Sequence, residues 1–161
     1  MIVSVRGILE AVGPDWVHLQ VGGISLQISV PGSDINELGP MGGQVRLFTH
    51  LRIRDEQPVL YGFSSTPAMQ LFLMLNGVSG VGPRLSLALL SSLGVSSLQQ
   101  AIANGDIASL SSAPGVGQRT AGRIALELKS KIDEGAADIG IPGGSDDAVV
   151  IESLMALGYS A

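Results

Sequence analysis

The sequence predicts a chain that is β in its first third and helical afterwards, and three observations carry that reading. Apolar and polar residues alternate through the stretch ending at Phe63, the signature of half-buried strands. From Ser64 onward the apolar spacing lengthens to that of helices. Within this helical stretch a single motif occurs twice in the same phase: Ser79-Gly80-Val81-Gly82-Pro83-Arg84 and Pro114-Gly115-Val116-Gly117-Gln118-Arg119.

Alternation runs through Ile2 to Leu9, Trp16 to Val21 and Ile24 to Val30. Gly13-Pro14-Asp15 and Gly22-Gly23 separate these runs, and the second pair suits a tight hairpin because glycine accepts positive φ. Gln44 to His50 and Pro58 to Phe63 complete about five short strands. So many short strands in so little chain predict a small closed barrel over residues 1–63, of which the OB-fold is the commonest type.

A helix is expected from Pro67 to Leu75, with Ser64 to Thr66 as capping candidates. After the first Gly-x-Gly, Pro83 stands where a helix's first residue would be, and Leu85 to Leu93 continues it as far as Gly94. Ser97 to Asn104 and Asp106 to Ser111 are shorter helices, and Thr120 to Ile132 is the longest, with Ile124, Leu128 and Ile132 on one face. Residues 64–134 therefore read as one all-helical domain. Residues 135–146 have linker composition. Asp146 or Asp147 then caps a final helix, Ala148 to Leu157, so that 147–161 reads as the start of a third domain, cut short.

The net charge of −5 is unevenly placed. Residues 1–63 carry four basic against six acidic side chains, and residues 134–161 carry five acids and no base. Residues 64–133 carry five bases (Arg84, Arg119, Arg123, Lys129, Lys131) against three acids, so the positive segment is the one that holds the repeated motif. That excess is small, and binding of a polyanion would rest on placed contacts more than on a broad basic field. Cysteine is absent, which excludes disulfides and thiolate metal sites and fits a cytosolic protein. His18 and His50 are the two histidines, so a histidine-rich metal centre is not expected. The first residues enter a strand pattern at once, without the basic-then-apolar order of a signal peptide, and no apolar run is long enough to span a membrane.

A glycine hairpin that opens a helix presents backbone N–H groups and the positive end of the helix dipole to an anion. A basic side chain one turn further in adds charge at the same place. Two such devices predict a grip on two phosphates of a nucleic-acid backbone, carried by Gly80, Gly82 and Arg84 and by Gly115, Gly117 and Arg119, with Arg123 a turn beyond. One copy alone would read as an ordinary helix connection; two in phase do not. The spacing excludes a dinucleotide fingerprint, since Thr120 stands where its third glycine would fall, and no phosphate-binding Gly-x-x-x-x-Gly-Lys-Ser/Thr occurs. Neither histidine has the spacing of a catalytic or metal motif, and no catalytic residue or cofactor is assigned. Asp55-Glu56, between two strands, is either a plain polar hairpin tip or a negative point that repels phosphate.

In this order the segments resemble the RuvA family, bacterial Holliday-junction-binding subunits of RuvAB branch-migration complexes. The resemblance rests on Met1-Ile2 with Arg6-Gly7, Thr49-His50 to Arg54-Asp55-Glu56, Leu60-Tyr61-Gly62-Phe63, Val78 to Arg84, Pro114-Gly115-Val116-Gly117 and Leu126-Glu127-Leu128-Lys129. It implies tandem helix-hairpin-helix motifs in which Val78–Arg84 and Ala113–Arg119 grip phosphates, with Val78 and Gln118 among the contacts. It also implies a homotetramer, or an octamer of two tetramers, holding an open four-way junction on one face. Asp55 and Glu56 would form an acidic pin, eight carboxylates per tetramer, at the junction's centre. The implied partners are the hexameric motor RuvB and the resolvase RuvC, and the tail implies a small UBA-like domain, here shortened. Gln118 departs from the lysine frequent at that place, which weakens the second grip. Two rival readings are a general DNA-binding barrel, against which the scarcity of aromatics counts, and a helix-hairpin-helix glycosylase or lyase.

Overall fold

The computed structural model describes residues 2–54 and 56–138. Asp55, the expected final helix and the expected third-domain segment 147–161 lie outside the described residues.

Five strands, β1 (Ser4–Val12), β2 (Trp16–Val21), β3 (Ile24–Ser29), β4 (Gln44–Arg54) and β5 (Gln57–Phe63), close into a barrel in the order β1-β2-β3-β5-β4. All neighbours are antiparallel except β3 and β5, which meet in parallel at Ser29 and Tyr61. The alternation in the sequence decides what the barrel holds. Val5, Leu9, Val17, Leu19, Ile28, Val45, Leu47 and Leu60 point inward and are buried, while Arg6, Glu10, Gln20 and Arg46 point out.

A short helix, α1 (Gly32–Ile35), links β3 to β4 and is not expected from sequence. It is one half of a seam with the helical unit. Ser64 donates its backbone N–H to the buried Asp34 carboxylate at 2.8 Å, and Gly32 donates its N–H to Ser91 Oγ at 2.7 Å. Aromatic packing makes the other half. Phe63, fully buried at the end of β5, belongs to the helical core, and the Phe63 and Tyr61 rings lie 4.9 and 5.0 Å from that of Phe72.

The helical unit comprises α2 (Thr66–Asn76), α3 (Pro83–Asn104), α4 (Ile107–Ser111) and α5 (Gln118–Asp138). Ser65 caps α2 by accepting from the Ala68 N–H, as the sequence suggests. α3 has the length and hydropathy of a membrane span, but Gly94 (φ 69°, ψ 171°) breaks it into two segments. Its Leu87, Leu89, Leu90, Leu98 and Ile102 are buried in the helical core. The break falls where the sequence separates two helices. α5 runs to Asp138, four residues into the stretch 135–146 read as linker, since Ala136 and Ala137 favour helix. The β-then-α order, the closed barrel and the helical unit are as the sequence predicts.

Candidate nucleic-acid interface

The first hairpin joins α2 to α3. Val78 donates its N–H to the Leu75 carbonyl, and Val81 donates to that of Val78 at 3.0 Å, which folds the chain back within four residues. The reversal needs a left-handed residue, and Gly80 supplies it at φ 85°. Val78 and Val81 are buried and pin the turn to the core. Gly82 is the N-cap of α3; its carbonyl accepts from the Ser86 N–H at 3.0 Å and from Ser86 Oγ at 3.2 Å.

The second hairpin, between α4 and α5, repeats the reversal bond and the first helical bond of this turn. Val116 donates its N–H to the Ala113 carbonyl at 3.1 Å, Gly115 turns the chain at φ 84°, and Ala121 donates to the Gly117 carbonyl at 2.9 Å. Ala113 and Val116 are buried as their counterparts are. The repeat seen in the sequence is a repeat of backbone geometry.

Each hairpin opens a helix whose first N–H groups have no intrahelical acceptor. Proline at position 83 removes one donor, leaving Arg84 and Leu85 after Gly82, while the second copy offers Gln118, Arg119 and Thr120 after Gly117. Gly82 has no side-chain cap, and neither α3 nor α5 has an acidic residue in its first turn to neutralise the dipole. A Cβ built on Gly82 or Gly117 meets nothing within 4 Å, so the approach to both amide rows is open. Arg84, Gln118 and Arg119 are exposed beside them.

Two residues expected to touch phosphate have other work. Val78 has its side chain in the core at 2% exposed, and its N–H and carbonyl are bonded to Leu75 and Val81 inside the turn, so it shapes the hairpin. Arg123 lies on α5 behind the second hairpin, and its Nη1 donates to the Ser79 carbonyl of the first at 2.9 Å. In return Leu85, in the first turn of α3, lies against the second hairpin, its Cδ2 3.0 Å from where a Cβ on Gly115 would stand. Each hairpin is thus held by the helix that follows the other.

On the barrel, β4 and β5 pair as far as Arg54 and Gln57, leaving Asp55-Glu56 as a two-residue connection. Glu56 is exposed and stands at φ 64°, a left-handed conformation that costs a side-chain-bearing residue about 1–2 kcal/mol. Such tips ordinarily carry glycine or asparagine there. Arg52, two residues before Arg54, is not among the contacts expected from the sequence. It is exposed and lines a cleft together with Val59, Tyr61, Pro83 and Arg84.

Alternation of β4 places Arg52 on one face, but the helix that meets that face is invisible in sequence. Away from both hairpins, Ser109 donates its N–H and its hydroxyl to Asp106, the α4 cap, at 3.0 and 2.6 Å, and these bonds hold that carboxyl below the ordinary carboxylate range.

A closed barrel followed by two in-phase glycine hairpins, each exposing a helix N-terminus, makes this a tandem helix-hairpin-helix protein with an N-terminal barrel. Comparison with known proteins agrees on both halves. Residues 1–62 match the family described as RuvA N terminal domain, and residues 72–130 match SAM-like helix-hairpin-helix tandem. A Holliday junction branch migration complex subunit RuvA from Chloroflexus aurantiacus is 44% identical over 163 residues, covering all of this chain and 84% of the relative. The protein of the same description from Herpetosiphon aurantiacus is 42% identical, and that from Dehalococcoides mccartyi 41%, with 83% and 84% of those relatives covered. The chain belongs to the RuvA family.

Proposed function

We propose that this chain is the DNA-binding subunit of a branch-migration complex, selecting four-way junctions by their shape and leaving the motor work to a partner ATPase. The observation that carries the reading is the matched pair of hairpins, with open amide rows after Gly82 and Gly117 and an exposed arginine beside each. A backbone phosphate at each row would receive N–H bonds, the helix dipole and one guanidinium together. Such contacts read no base sequence, which suits a protein that must follow a moving junction.

The acidic tip supplies selectivity by repulsion. In a four-fold assembly the tips would gather at the branch point. Unit charges about 8 Å apart interact by about 2 kcal/mol at an effective dielectric of about 20. A ring of them biases strand separation without driving it, so directed movement needs ATP hydrolysis by a motor of the RuvB kind. A homotetramer on one face of the junction, or two tetramers enclosing it, in the bacterial cytoplasm and alongside a resolvase of the RuvC kind, completes the proposal.

The test is the double substitution Arg84→Ala with Arg119→Ala, measured on a synthetic four-way junction, duplex and single strand of equal length. Junction affinity should fall and its salt dependence should flatten, because fewer counterions are released. Unchanged affinity and slope would refute the phosphate grip. Wild-type protein that binds all three DNAs equally would favour the general-binder reading.

A further inference from the structure

We propose that Arg52 of the barrel and Arg84 of the first hairpin together seat one DNA backbone phosphate in the cleft between them, beside the branch point. The inference rests on the junction-binding reading and adds a contact from the barrel to it. The cleft measures about 210 Å³, with Val59, Tyr61 and Pro83 as its other walls. Among the described residues its lining contains two guanidinium groups and no carboxylate. Arg84 also edges a neighbouring cleft that holds Asp15, but Asp15 does not line this one. Two cations converging on a largely apolar cavity repel each other until an anion enters, and a planar guanidinium offers a phosphate paired N–H donors.

Position then selects the source of the phosphate. Arg84 stands in the first turn of α3, next to the amide row after Gly82, so a strand held at that row passes the cleft. Arg52 pairs with Val59, two ladder steps, about 7 Å of strand, from the final pair Arg54 and Gln57 that closes the acidic tip. A phosphate between Arg52 and Arg84 therefore lies where the backbone turns away from the tip, a place that a four-way junction has and a straight duplex lacks.

The experiment compares wild type, Arg52→Gln and Arg52→Lys in the full chain, on a four-way junction and on linear duplex across a salt series. Arg52→Gln should weaken junction binding about tenfold and lower its salt slope by about one, with duplex binding changed less than about twofold. Arg52→Lys should restore the slope but only some of the affinity, since the forked geometry is lost. Unchanged junction affinity in Arg52→Gln, or equal loss on both DNAs, would each overturn the proposal. If Arg84→Ala with Arg119→Ala weakens binding while Arg52→Gln does not, the cleft fails and the hairpin grip stands; if neither variant changes binding, the hairpin grip itself fails.

Discussion

Arg123 Nη1 donates to the carbonyl oxygen of Ser79 at 2.9 Å, fastening the helix behind the second hairpin to the turn of the first. With Leu85 packed on Gly115 from the other side, the two hairpins form one unit and not two independent loops. Arg123→Ala should lower unfolding stability by about 1 kcal/mol, a charged hydrogen bond discounted for its exposure. Urea denaturation at fixed protein concentration measures this. It should also weaken junction binding by more than Lys129→Ala, which removes an equal charge from the same helix. Equal losses in the two variants would mean that Arg123 contributes charge alone.

Gly80 and Gly115 have nearly the same dihedral but different surroundings. Alanine at Gly80 meets only the flexible end of Arg123 at 3.7 Å, so its cost is the left-handed backbone, about 1–2 kcal/mol. Alanine at Gly115 adds the 3.0 Å contact with Leu85 Cδ2 and should be the more destabilising of the two. Denaturation midpoints of the single variants give the order directly; the reverse order would contradict the described packing of Leu85.

Glu56 is held at φ 64° at the tip of the β4–β5 hairpin. Glu56→Gly should therefore raise stability by about 1 kcal/mol while it removes a charge. If the tip acts by repulsion, the same variant binds junctions at least as tightly and discriminates less against duplex. A more stable variant with wild-type discrimination would reduce the tip to an ordinary turn.

Asp106 caps α4 through two bonds from Ser109, which favour its charged form and lower its pKa in the folded protein. The stabilisation is complete above the ordinary carboxylate range and is lost as pH falls through the lowered value. Asp106→Asn keeps a capping oxygen but does not titrate. Its stability should fall less steeply than that of wild type on acidification, as thermal unfolding between neutral and strongly acidic pH would record. Parallel curves would show that the cap does not respond to pH.

What could be read from the sequence was whatever repeats locally. Alternation through Trp16 to Val21 and Ile24 to Ser29 placed the strands, and the phase shared by Gly80 and Gly115 placed both hairpins, because dihedral demands are written in single residues. What could not be read depends on contacts far along the chain. Asp34 reads as one more surface acid until Ser64, thirty residues on, delivers its N–H to it. Arg123 reads as a phosphate ligand, yet its bond to Ser79 spans 44 residues. Val78 sits inside a binding motif, and only packing reveals that its side chain faces the core. The four residues of α1 are too short to show any period.

Gly82 and Gly117 offer the most direct test of the paired amide rows. Gly82 stands at φ −100°, Gly117 is not among the left-handed glycines, and a Cβ on either meets no protein atom within 4 Å. Gly82→Ala with Gly117→Ala should thus leave unfolding stability within about 1 kcal/mol of wild type, yet place a methyl group where a phosphate must approach. Junction affinity of the double variant, measured by titration at fixed salt, should fall at least about tenfold. Wild-type affinity in that stably folded variant would mean that DNA does not come to rest on these helix ends.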